Sequence, residues 1–423
     1  MQQAGRRCAV GLAVLLITAV GGCGSTPVSS SGSSPSLGGT RTTVTPKSAD
    51  RSSLRVQPAE VIDFTPVSAS GAWAVTAPTA APGSANRGIE RTVNAGAAWS
   101  GVTPALPEGL SGRGFTAGDF LNRREAWVPA VSAQQVPKTA ELFATTDGGH
   151  SWQDLGRLPP ACYSSSDSIA AIPSVQFVDH LHGWCGVESG NGDPVGAMYR
   201  TLDGGRHWTA LDGALSLSRQ LPGQTLATMG WHAGFTSPTD GWATTGCPHS
   251  ATGYTDCLWR STDGGVAWKP VTLPPPPHSA GQVNLAGLPV GPGPHLAEAA
   301  YIGTGIGATD IYRSDNSGRT WRLLRPPGPP TIWQPSLVSG EEWKLIVDRR
   351  LLSTSNAGRT WRTLRADRTL TITDDAHTVP ATTTFLSPMV GWFILGVEAH
   401  TVWRTTDGGT TWRPVPLPTS THP

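Results

Sequence analysis

Apolar and polar residues alternate in short stretches along most of this chain. Examples are "LFAT" at 142–145, "MYRT" at 198–201, "LWRS" at 258–261, "IYRS" at 311–314 and "VWRT" at 402–405. Alternation with β-branched and aromatic enrichment predicts strands with one buried face. A tryptophan-bearing strand precedes each of them: "GAWAV" from Gly71, "EAWVP" from Glu125, "HGWCGV" from His182, "DGWATT" from Asp240, "EEWKLIV" from Glu341 and "VGWFIL" from Val390. In "AAYIGTG" from Ala299, Tyr301 stands where the others have Trp. Connectors rich in Pro and Gly, such as "LPPPPHSAGQ", separate the units, and no convincing amphipathic helix is found between them.

A second phrase punctuates the strands. "TTDGGHSW" (Thr145–Trp152), "TLDGGRHW" (Thr201–Trp208), "STDGGVAW" (Ser261–Trp268) and "TTDGGTTW" (Thr405–Trp412) share one pattern. Allowing Asn for Asp adds "TVNAGAAW" (Thr92–Trp99), "SDNSGRTW" (Ser314–Trp321) and "TSNAGRTW" (Thr354–Trp361). The terminal tryptophans 99, 152, 208, 268, 321, 361 and 412 are 53, 56, 60, 53, 40 and 51 residues apart. A fixed phrase at variable spacing means a constant unit with loops of different length. Four antiparallel strands at roughly this period make one propeller blade. The expected fold is therefore all-β: a single seven-bladed propeller of four-stranded blades.

Within the phrase the acid or amide is a turn cap. Asp147, Asp203, Asp263 and Asp407, with Asn94, Asn316 and Asn356, offer a short acceptor to the backbone N–H groups of their own turn. Gly96, Gly149, Gly205, Gly265, Gly318, Gly358 and Gly409 supply a positive φ without steric cost. Trp99, Trp152, Trp208, Trp268, Trp321, Trp361 and Trp412 return to the sheet and bury the turn, each with an indole N–H for a backbone acceptor. Asn suits a cap and not a catalytic carboxylate. Calcium is the alternative ligand, but a hard cation wants six or more oxygens and each turn brings one carboxylate at most. No metal and no cofactor is expected.

The ends of the chain speak to compartment. Arg6 and Arg7 precede an apolar run from Cys8 to Val20 that is too short to span a bilayer, and "VGGC" follows. Small residues before Cys23 resemble a bacterial lipobox. That resemblance implies a signal peptide over 1–22 and a lipid on Cys23; an ordinary signal peptide is the alternative. Residues 23–56, rich in Ser, Thr, Gly and Pro, read as a disordered tether. The propeller is expected over 57–418, with a tail over 419–423, so the predicted location is the extracytoplasmic face of a cell membrane.

Cys162, Cys185, Cys247 and Cys257 remain in the domain. An even count in an exported chain favours disulfides, and neighbours are the expected pairs: 162 with 185, 247 with 257. Zinc is disfavoured because no C-x-x-C or paired-His spacing accompanies them. A net charge of +1 argues against bulk nucleic-acid binding. Residues 313–368 nevertheless hold eleven basic against five acidic residues. Arg325, Arg365 and Arg368, at the strand ends away from the motif turns, are the expected partner-binding residues for an anionic partner. Protection of an edge strand from aggregation is the other reading.

The motif resembles the Asp-box of bacterial neuraminidases, sortilin-type receptors and other propellers, where it is a folding element. Joined to the "GW" strand it resembles the photosystem II assembly and stability factor family of seven-bladed propellers and its exported bacterial relatives, over about residues 58–416. That resemblance implies a module that binds partner proteins; a monomer without catalysis is the expectation here. A carbohydrate-active hydrolase is the second expectation. No "RIP" triplet occurs, and Tyr199 and Tyr312 sit at strand positions that Trp259 and Trp403 fill elsewhere. Glu188 and Asp193 form a loop pair that could face a substrate, and a solvated hairpin tip is the favoured reading. A hydrolase would instead need two carboxylates about 5–10 Å apart in the central pocket.

Overall fold

The computed structural model describes residues 43–44, 57–78, 87–107, 115, 118–131, 139–162, 175–186, 188–189, 198–211, 231–249, 253–274, 285, 288–289, 291, 300–303, 311–327, 335–347, 350–364, 382–394, 401–417 and 419–420. Cys23, Arg365 and Arg368 lie outside them, as does most of the expected tether. No described helix is long and apolar enough to cross a membrane.

The strands form antiparallel sheets in the order of the sequence repeats. The first blade is Gln57–Pro66, Ala72–Pro78, Gly88–Thr92 and Ser100–Gly101. The second is Asp119–Phe120, Ala126–Val131, Ala140–Thr145 and Trp152–Arg157. The third is Val175–Phe177, Gly183–Cys185, Met198–Thr201 and Thr209–Leu211, and the fourth Trp231–Phe235, Gly241–His249, Gly253–Ser261 and Lys269–Val271. The sixth is Ser336–Leu337, Trp343–Val347, Arg350–Thr354 and Arg362–Leu364; the last is Thr382–Phe385, Gly391–Ile394, Val402–Thr405 and Arg413–Val415.

Six sheets thus have the four-strand core of a blade. The expectation of seven four-stranded blades is corrected to six among the described residues, because the fifth repeat unit gives a three-stranded sheet of Ala300–Gly303, Ile311–Ser314 and Arg322–Leu324. The stretch before Ala300 is rich in Pro. Leu285 and Leu288 of that stretch still pack with Trp242, Leu258 and Tyr312.

Consecutive sheets pack face to face, so the core is a series of seams. Trp127 stacks on Phe177 at 4.0 Å, Trp184 on Phe235 at 3.8 Å and Trp73 on Phe120 at 5.2 Å, each reaching the next blade's innermost strand. The ring closes where the last blade meets the first. There Phe64 lies 5.6 Å from Trp392, Trp99 Nε1 donates to Pro416 O at 2.8 Å, and Arg404 donates to Ala69 O.

Two short segments outside the expected propeller strands add to the ring. Thr419–Ser420, assigned above to a tail, pairs with Gln57–Pro58 on the first blade's innermost strand. Thr43–Val44, inside the expected tether, pairs with Trp152–Gln153 on the second blade's outer edge. An open strand edge presents unpaired N–H and C=O groups, and both segments satisfy one.

Register corrects one repeat. Residues facing the first Thr or Ser of each box are small: Ala72, Ala126, Gly183, Gly241, Ala300 and Gly391. In the sixth blade that residue is Trp343, which pairs with Thr354, and Lys344 takes the position that tryptophan, or Tyr301 in the fifth unit, holds elsewhere.

Candidate functional site

All seven boxes fold alike. The first hydroxyl accepts from the glycine N–H at 2.7–2.9 Å. It donates in turn to the Asp or Asn Oδ1 at 2.8–3.0 Å. The same Oδ1 accepts from the N–H four residues on, at 2.9–3.0 Å. The expected capping role therefore holds for Asn and Asp alike. At Asp147 and Asp407, partial burial opposes ionisation, and hydrogen bonds from Ser151, Thr145, Thr411 and Thr405 outweigh it, so both carboxyls lie below the usual range. Asp203, similarly opposed by burial, is taken down to about 2 by His207 and Thr201.

The glycines do more than turn. Every one has positive φ, from 78° to 97°. Each also presses on the preceding blade. A Cβ on Gly149 would meet Val102 at 2.7 Å, one on Gly265 would meet Met198 at 2.6 Å, and one on Gly318 would meet Trp242 at 2.1 Å. Among the box tryptophans, Trp208, Trp321 and Trp412 donate to their own turn's glycine carbonyl, whereas Trp99 and Trp152 donate to the preceding blade.

Two further sets of interblade contacts were not anticipated. Trp127 Nε1 donates to Gly204 O at 3.0 Å and Trp184 Nε1 to Gly264 O at 2.9 Å, so strand tryptophans clasp the next blade's box. The arginine three residues before the Asp or Asn joins them: Arg91 donates to Gly148 O, Arg200 to Asp263 O and Arg313 to Ala357 O. Arg91, Arg260 and Arg404 lie over the tryptophan of their own blade at 5.4–5.6 Å. The signal was the "RT" or "RS" that opens five of the boxes. In the sixth blade Lys344, 3 % exposed, substitutes: its Nζ donates to Ser353 Oγ at 3.1 Å, pairs with Glu342 at 3.3 Å and lies 5.5 Å from the Phe385 ring.

The axial strands carry the titratable groups that the sequence reading missed. A polar residue on several of the innermost strands reaches across to the next blade. Asp119 accepts from Phe177 N–H, Gln176 brackets Phe235 N–H and C=O at 2.9 Å, and Ser336 accepts from Phe385 N–H at 2.7 Å. Asp63 accepts from the Phe64 and Gly118 backbones. Burial raises Asp63 to about 6, and burial with the nearby Asp63 charge raises Asp119 to about 7. Both residues are nonetheless half-buried rather than sealed. Glu90, on the first blade's third strand, is buried and rises to about 7. The repeated "DF" at 63–64 and 119–120 was the available signal.

The other expected residues fall as follows. Cys162 and Cys185 are disulfide-bonded, with Cα atoms 5.1 Å apart. Cys257 is disulfide-bonded too, and its expected partner, Cys247, lies on the adjacent strand with its side chain outside the described set. Arg325 is exposed at the strand end away from the box. Glu188 sits in a two-residue strand paired with His232, and Asp193 lies outside the described residues. Tyr312 is fully buried and Tyr199 partly so, as packing residues should be. Among the described residues no group of three or more His, Cys, Asp or Glu is placed to hold a metal.

No family model matches the chain, and no curated protein matches it. Several solved propellers are similar in structure. YCF48 bound to a D1 peptide is 19% identical, with a TM-score of 0.46 over 86% of this chain and 97% of that one. The β-propeller domain of the Trilobed protease from Pyrococcus furiosus is 7% identical, with a TM-score of 0.47 over 85% and 99%. The GH74 xyloglucanase from Xanthomonas campestris is 12% identical, with a TM-score of 0.29 over 85% and 73%. At these identities the likeness is one of fold.

Proposed function

We propose that this chain is a membrane-tethered, extracytoplasmic propeller that binds a protein or envelope ligand without chemically altering it. Its three-stranded sheet is read as the fifth of seven blades. The observation that carries the proposal is where the repeat's chemistry is spent. Box carboxylates, strand arginines and tryptophans are engaged with their own turn or with the adjacent blade, so they build a scaffold. Recognition then belongs to the surface, including exposed Arg325 and its expected neighbours Arg365 and Arg368. The anchor is the lipid on Cys23, and the module acts as a monomer. Cys23→Ala is expected to move the protein out of the membrane fraction; unchanged fractionation contradicts the anchor. Affinity capture of the lipidated chain from its native membrane should retain a ligand in a salt-dependent way, and Arg325→Ala should weaken that retention without unfolding.

A second reading is favoured by Asp63 and Asp119. Two coupled carboxyls on the first strands of consecutive blades, held near neutrality, are what a glycan hydrolase would use as acid and base. Their backbone partners on adjacent blades support a latch first. Glycan turnover abolished by Asp119→Asn in a folded protein would establish the hydrolase.

A further inference from the structure

The box-side face carries a basic and apolar strip that nothing above absorbs. Hairpin loops and boxes share this face: Gly408 N–H donates to Met389 O and Ala357 N–H to Glu341 O. Arg319 and Arg359 occupy the same box position in the fifth and sixth blades. Arg362 and Arg413 open the outer strands of the sixth and last blades. All four are exposed, and none forms an ion pair with a described residue. Beside them on the last blade, Leu386 is 37 % and Met389 53 % exposed.

Acidic groups on this sector are largely spent. Asp315 is held by Arg313 and Arg322, Glu342 by Lys344, and Asp407 by its own turn. Among the described residues Glu341 alone is exposed with only backbone contacts. Four free guanidinium groups beside large apolar side chains have the composition of an interfacial membrane contact, in which arginines meet anionic headgroups and apolar tips enter the boundary.

We infer that the box-side rim of the fifth to last blades lies against an anionic lipid surface, leaving the opposite face, with Arg325, open to the ligand. The inference rests on the tethered-module reading, since a tether holds the domain beside that surface. Charge complementarity selects the occupant: the strip is cationic in a chain whose net charge is +1.

The test uses residues 24–423, which retain every described contact of the ring and lack the apolar leader. Flotation with phosphatidylglycerol vesicles is compared with flotation on phosphatidylcholine vesicles of equal size. Binding is expected to the anionic vesicles only, and to fall as salt rises. Replacing Arg319, Arg359, Arg362 and Arg413 by Gln should lower it about fivefold per arginine. Leu386→Ser with Met389→Ser should lower it further at unchanged Tm. Arg157→Gln, on the second blade's outer strand, is the control that should leave it unchanged. Equal binding to both lipids, no binding, or indifference to the four arginine substitutions overturns the inference. So does binding of the strip to an acidic polypeptide in place of lipid. Ligand capture from native membranes that survives the arginine substitutions would leave the binding-module reading standing alone.

Discussion

Three residues in the boxes adopt a backbone conformation that their side chains oppose. Ala95, Ser317 and Ala357 have φ of 57–61°, where the other four boxes have glycine. A left-handed conformation costs an L-residue about 1–2 kcal/mol, and glycine loses about 0.4–1 kcal/mol more chain entropy on folding. The difference favours glycine slightly. Ser317→Gly, at a half-buried site, is therefore expected to raise stability by up to about 1 kcal/mol in chemical denaturation; a loss would show that the serine side chain matters more than its backbone. Gly149→Ala works the other way. It adds a Cβ 2.7 Å from Val102 at a φ of +82°, and should cost roughly 2–4 kcal/mol. The turn glycine's φ was legible in the sequence. Its pressure on the preceding blade was not, because that contact joins residues about fifty apart.

At the scale of the strand, alternation and the "GW" and "DGG" phrases placed nearly every sheet. They misplaced one element. "EEWK" reads as another tryptophan strand, yet register puts Trp343 opposite Thr354 and gives Lys344 the tryptophan's seat. A one-residue offset turns a side chain to the other face, and no local pattern reports it. A buried ion pair replaced as a whole by apolar residues often costs nothing, and Glu342, whose side chain is 26 % exposed, can turn to solvent once Lys344 is gone. Lys344→Met is accordingly expected to leave the melting temperature unchanged or raise it. Trp184→Ala, which empties a stacked seam, should cost about 3–5 kcal/mol. Comparable losses in both would mean that Lys344 is held by more than Glu342 and Ser353.

Across the whole ring, stability should depend on pH in a defined direction. Asp63, Glu90 and Asp119 are raised to about 6, 7 and 7 from unfolded values of 3.8, 4.5 and 3.8. Their contribution to stability is fully present below the unfolded values and is lost as pH rises through 6 to 7. Asp147, Asp203 and Asp407 are lowered, so their contribution is present above the unfolded value and lost as pH falls. The melting temperature should therefore peak on the acid side of neutrality. Asp119→Asn keeps an acceptor for Phe177 N–H and should flatten the fall toward pH 8. A melting temperature that rises steadily from pH 5 to 8 contradicts this. The axial carboxylates escaped the sequence reading because a "DF" dipeptide takes its meaning only when neighbouring blades bring the two aspartates together. The pairing of Thr419–Ser420 with Gln57–Pro58 escaped it for the same reason: only closure of the ring makes them neighbours.

The proposal that this ring binds rather than transforms its ligand is tested most directly by the chemical state of what it holds. The lipidated chain, captured from its native membrane at low ionic strength, would be analysed for bound protein and glycan by mass spectrometry, beside the Asp119→Asn variant. The account predicts a ligand recovered intact, released by salt, and retained equally by both proteins. Cleaved glycan with the parent chain, and uncleaved glycan with the folded variant, would contradict it.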